Sequence, residues 1–127
     1  MDAKSSHQNS AGNATSHFWY QRITAITLIP LSIWVLVLLN KALHAPYTET
    51  QAWLTSPINA AIIIVWIIAV FYHAALGIQV VIEDYVSTRS VRLWAIRIIH
   101  LIFSLLGIAA LSAIVYILLQ GNYDISL

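Results

Sequence analysis

Three long apolar windows dominate the chain. The first runs from Ile23 to Asn40 between Arg22 and Lys41, the second from Thr50 to Ile82 between Glu49 and Glu83, and the third from Ile98 to Tyr123 between Arg97 and Asp124. None contains Asp, Glu, Lys or Arg. A helix needs about 20 apolar residues to cross a bilayer, and about 17 at the least. Each window therefore predicts one membrane span, expected near residues 21–43, 58–84 and 91–120. Runs such as Ala60 to Phe71 lack the period-two alternation of a barrel strand. The pattern predicts an all-α integral membrane protein with three transmembrane helices, packed into a multi-chain helical bundle.

The segments between the windows differ in kind. Residues 1–17 are polar, rich in Ser, Asn and Gly, and are expected to form a disordered tail ahead of a three-helix anchor over 18–127. The tail lacks the basic stretch and apolar core of a secretory signal. Pro30 falls inside the first window and can kink it, whereas Pro57 after Ser56 suits the first turn of the second helix. Ser87 to Ser90 reads as a short polar turn.

Composition agrees with this picture. Of 127 residues, 60% are hydrophobic and only 9% charged, against about 25% charged in a typical soluble domain; the mean hydropathy is +0.80. No cysteine is present, which excludes disulfides, zinc–thiolate sites and Cys-ligated iron–sulfur clusters on this chain. A net charge of +1 offers nothing to nucleic acid. So short and apolar a chain has no room for a soluble catalytic domain, so any chemistry it serves is expected to be held mainly by another chain.

The basic residues predict the orientation. Lys4, Arg22, Arg89, Arg92 and Arg97 share one end of the predicted bundle, and Lys41 stands alone at the other. By the positive-inside rule the amino terminus is cytoplasmic and the carboxyl terminus lies across the membrane. Phe18, Trp19, Tyr20, Tyr85 and Trp94 would mark the inner interface, and Tyr47, Trp53 and Tyr123 the outer one.

His73 carries the most chemical information. It lies nine positions before Ile82, so about 14 Å into a hydrocarbon core about 30 Å thick. An imidazole at that depth must be hydrogen-bonded, paired or metal-bound. It could be an axial ligand to haem iron, or it could hydrogen-bond a helix of a neighbouring chain. Gly77 follows one turn later, about 40° round the helix, and lets a flat ring or another backbone approach closely. Asp84 returns to within about 20° of the His73 face. Next to it, Tyr85 offers a phenol that can donate to a carbonyl, as a quinone headgroup at the membrane edge requires. A carboxylate beside it could relay protons; equally, the pair could be an interface anchor and a helix end. Arg22 could pair with a haem propionate or serve as a lipid anchor. His100 is about 5 Å deep by the same measure, a mismatch of roughly 10 Å that argues against one iron shared with His73. Gly107, Ala109, Ala110, Ser112 and Ala113 offer a small-residue face, Asn59 and Gln79 interhelical hydrogen bonds, and Trp34, Trp66 and Tyr72 packing.

The string His73-Ala74-Ala75-Leu76-Gly77, followed by Glu83-Asp84-Tyr85-Val86, resembles the second helix of the small membrane-anchor subunit of succinate dehydrogenase, the D-type cytochrome b subunit of respiratory complex II. Arg22-Ile23-Thr24-Ala25-Ile26 is similar to that family's Arg-x-Thr-Ala entry into its first helix. The resemblance spans roughly residues 17–120; His17 is one position out of register with the family's His-Asp pair and is assigned no role.

The resemblance implies a role for each residue. His73 would be one axial ligand of haem b, the other coming from a larger cytochrome b anchor, with Gly77 packing against the haem. Arg22 would approach the haem propionates. Tyr85 would hydrogen-bond ubiquinone, and Asp84 would support proton delivery. A flavoprotein that oxidises succinate and an iron–sulfur protein would be the remaining partners, within the lipid of a bacterial inner membrane. The alternatives are a haem b anchor of a related complex such as quinol:fumarate reductase, and a non-redox membrane adaptor.

Overall fold

A computed structural model describes the backbone of residues 3–125 and the side chains of 15–121. Lys4, counted among the basic residues that set the orientation, and Tyr123, expected to mark the outer interface, lie outside the described side chains. Four helices follow in order: α1 (Ala3–His44), α2 (Tyr47–Thr55), α3 (Pro57–Tyr85) and α4 (Arg89–Ile125). Three of them, over Thr15–His44, Pro57–Tyr85 and Arg89–Gly121, are long and apolar enough to cross a membrane.

The central element is α3. It packs against α1 on one side and α4 on the other, while α1 and α4 do not touch within the described residues. Burial follows from this order: Asn59, Ala60, Ile63, Ile67, Ala75 and Leu76 of α3 are buried, and outside α3 the one buried large apolar side chain described is Leu54 of α2. The outer faces of α1 and α4 carry Ile26, Ile29, Leu36, Leu101, Leu105 and Ile108 in the open, as helices surrounded by lipid or by other apolar helices should.

Three features of the helices differ in detail from the expected boundaries. The polar segment 3–17, expected to be disordered, continues α1 without a break; despite its Ser, Asn and Gly it contains no proline, so it can extend a helix already nucleated downstream. The region before Pro57 holds a separate helix, α2, that the apolar windows did not separate from the second span. Pro46 starts it, accepting from the Glu49 and Thr50 amides at 3.1 Å each. Its short length and mixed composition give no span signal, and Leu54 is seated in the core beside Ile63 and Ile67. The turn between α3 and α4 is only 86–88, because α4 already begins at Arg89. Pro30 sits inside α1 without ending it.

Antiparallel registers stitch the helices together. Along the α1–α3 seam, the Trp34 indole donates to Asn59 Oδ1 at 2.9 Å, the Trp66 indole donates to Ser32 Oγ at 3.1 Å, and Thr24 Oγ1 meets His73 Nδ1 at 3.0 Å. Along α3–α4, Phe71 and Phe103 meet as tilted rings with centroids 6.2 Å apart and planes at 60°. Gly107 lies over the same ring: a Cβ there would meet Phe71 Cδ2 at 3.7 Å. The small-residue face of α4 is thus used in part. Gly107 and Ala110 turn to α3, while Ala109, Ser112 and Ala113 are exposed.

Asn59 is the polar clasp of the α2 end. It is 7% exposed, accepts from Trp34 and donates to the Trp53 carbonyl at 2.7 Å. One side chain therefore ties α1, α2 and α3. Asn59→Leu would leave the Trp34 N–H and the Trp53 carbonyl without these partners, at a cost of about 1–3 kcal/mol. We expect a lower thermal denaturation midpoint for the purified protein; an unchanged midpoint would show that lipid or water replaces the clasp.

Candidate functional site

His73 lies midway along α3, half-buried, on the side that faces α1. Its Nδ1 is held by Thr24, and its Nε2 makes no hydrogen bond among the described residues. The expected hydrogen bond to a neighbouring chain is therefore replaced, at Nδ1, by one within this chain. Thr24 is locally anchored as well: its hydroxyl lies 2.9 Å from the Tyr20 carbonyl and 3.0 Å from the Gln21 carbonyl, the usual back-bonding of a helical threonine.

One turn along α3, Gly77 faces open space; a Cβ added there would meet nothing within 4 Å. The residues present fit a haem better than a bare metal ion. No group of three or more His, Cys, Asp or Glu comes together among the described residues, whereas a haem brings its own four equatorial donors and asks this chain for a single axial imidazole. His73 Nε2 meets that requirement, and the clear space at Gly77 leaves room for a flat ring.

Asp84 and Tyr85 close α3. Both are exposed, Tyr85 to 85%, so the phenol is accessible to a ligand or to another chain. The structure does not bring Arg22 to His73. Arg22 is exposed, its guanidinium 4.7 Å from the centroid of the Phe18 ring, and it stands about 160° round α1 from Thr24. It points to surroundings outside the α1–α3 seam.

His100 occupies the opposite side of α3. Its Nε2 pairs with Gln79 Oε1 at 2.8 Å, and the Gln79 amide donates to Glu83 Oε1 at 2.8 Å. His100 therefore belongs to an α3–α4 clasp, and the two histidines face different seams. Asn59 and Gln79 both make the interhelical bonds expected of them. An apolar groove of about 350 Å³ lined by Phe71, Tyr72, His100, Phe103 and Leu111 runs on this α4 side. Sequence inspection missed the role of Thr24: it stands in the Arg-x-Thr-Ala string, but only the antiparallel register sets it against His73.

These features define a membrane-embedded helical anchor, with a mid-span imidazole bonded at Nδ1 and without a partner at Nε2 among the described residues. The chain belongs to the succinate dehydrogenase/fumarate reductase transmembrane subunit family, which matches residues 4–115. Among its relatives are succinate dehydrogenase hydrophobic membrane anchor subunits. That of Rickettsia bellii (strain RML369-C) is 36% identical over 113 residues, covering 89% of this chain and 90% of the relative. That of Rickettsia felis (strain ATCC VR-1525 / URRWXCal2) is 37% identical over 101 residues, covering 79% and 83%. The succinate dehydrogenase membrane anchor subunit of Reclinomonas americana is 29% identical over 105 residues, covering 78% and 88%. No solved structure matches the chain. The bacterial relatives and the three spans make it a multi-pass protein of the bacterial inner membrane.

Proposed function

We propose that this chain anchors a succinate:ubiquinone oxidoreductase in the membrane, supplies one axial ligand to a haem b shared with a larger anchor subunit, and forms part of the ubiquinone site. The single observation that carries the site assignment is the free Nε2 of His73, held at mid-span by an Nδ1 bond to Thr24. The relatives' names favour succinate oxidation over fumarate reduction.

When bound, the haem would supply a one-electron redox centre beside the quinone. The chain's own residues do the rest. His73 would hold the haem iron through Nε2, and Gly77 leaves space beside it. Tyr85, exposed at the end of α3, donates its phenol proton to a quinone carbonyl, and Asp84 beside it delivers protons from the aqueous side. Arg22, exposed and directed away from α3 by its contact with Phe18, would reach a propionate only through a change of its side-chain rotamer or of α1 against α3. The amino terminus and the α3–α4 turn are cytoplasmic, matching the arginines near that end. The partners are a flavoprotein that oxidises succinate, an iron–sulfur protein that carries its electrons to the membrane, and the larger anchor, whose helices cover part of the exposed apolar surface.

Purification of the intact complex through a tag on this chain tests this directly. The expected result is a b-type haem difference spectrum, together with a flavoprotein and an iron–sulfur protein in the same preparation. A preparation with neither haem nor redox partners would overturn the proposal and leave a non-redox adaptor.

A further inference from the structure

We propose that Thr24 is a positioning residue that locks His73 in its Nδ1–H form and so presents the Nε2 lone pair to the iron; this rests on His73 being the haem ligand. The contacts around the hydroxyl dictate the proton's place. Thr24 Oγ1 lies within 3.0 Å of three groups: the Tyr20 carbonyl, the Gln21 carbonyl and His73 Nδ1. A hydroxyl has one proton, and a carbonyl can only accept. With the proton committed to the two carbonyls, the oxygen is left to accept from His73, so Nδ1 carries the hydrogen. The reverse arrangement would place the hydrogen on Nε2, which has no acceptor among the described residues, in a region where an unpaired polar group is costly.

Two consequences follow for a ligand. A neutral imidazole with hydrogen on Nδ1 has its lone pair on Nε2, the form that can bind iron. Donation from Nδ1 to the hydroxyl oxygen also makes that lone pair a stronger donor, and a hydroxyl already donating to a carbonyl is a better acceptor. A stronger donor favours ferric over ferrous iron. The threonine's β-branch, packed in a helix, leaves few χ1 positions, so the acceptor is held in place.

The test compares Thr24→Val, Thr24→Ser and His73→Ala in the intact purified complex, by redox titration of the haem and by the ferric electron paramagnetic resonance spectrum. Valine keeps the shape and removes the acceptor. Its haem midpoint should rise by about 59 mV for one electron, a roughly tenfold fall in the ferric-to-ferrous ratio at a fixed potential. Serine should restore both the midpoint and the spectrum. Where valine lowers recovery of the complex, Thr24→Ala removes the same acceptor without added bulk and is read in the same way. A wild-type midpoint and spectrum in Thr24→Val overturn the proposal while His73→Ala still loses the native signal. A native signal in His73→Ala overturns the ligand assignment itself, and this proposal with it.

Discussion

His73→Ala is expected to abolish the native haem signal of the assembled complex. The effect should be the largest of any single substitution in this chain. Partners that merely orient a metal ligand cost about 10–100-fold in affinity when removed, so loss of the ligand itself should cost at least about a hundredfold. With the second ligand supplied by another chain, as proposed, any haem that remains should be five-coordinate and high-spin. Alanine also frees Thr24 from its interhelical bond, and such bonds within membranes average only about 0.6 kcal/mol. The helices should therefore still pack, and the partner subunits should still copurify. Added imidazole should enter the space left by the side chain and restore a low-spin spectrum. Full haem content with an unchanged spectrum would remove His73 from the ligand set.

Tyr85→Phe should separate two activities. The phenol is exposed at the end of α3 and no hydrogen bond holds it among the described residues, so its loss leaves the fold intact. A neutral hydrogen bond contributes about 0.5–1.5 kcal/mol, and 1.4 kcal/mol is tenfold. Quinone reduction should fall by up to about tenfold, while succinate oxidation with a soluble dye acceptor stays at the wild-type rate, because the dye takes its electrons before they reach the membrane. Equal loss of both activities would indicate defective assembly and would remove the specific role in the quinone site.

Much of this arrangement is legible without coordinates. Charge-free windows require three spans because lipid offers no partner to a backbone group or a charge. His73 stands out for the same reason, since an ionisable ring at mid-span must be partnered. Asn59 and Gln79 could be expected to bond across helices, and they do, to Trp34 and His100. What could not be read were partners set by register. Thr24 and Arg22 sit two residues apart in one motif, yet one faces α3 and the other lies over Phe18. Two residues turn a helix by about 200°, and sequence alone does not say which of the two meets α3.

The sequence by itself determined the number of spans, the place of His73 midway along the second and the absence of any thiolate chemistry, because each follows from solvation and composition alone. Tertiary structure alone decided that α3 lies between α1 and α4, that α2 caps one end through Leu54 and Asn59, and that the Thr24 hydroxyl holds Nδ1 of His73. Those choices depend on which faces of nearly uniform apolar helices come together. Apolar side chains on every face leave hydropathy with no preference among them, so the few polar side chains and the small residues at the seams make the selection.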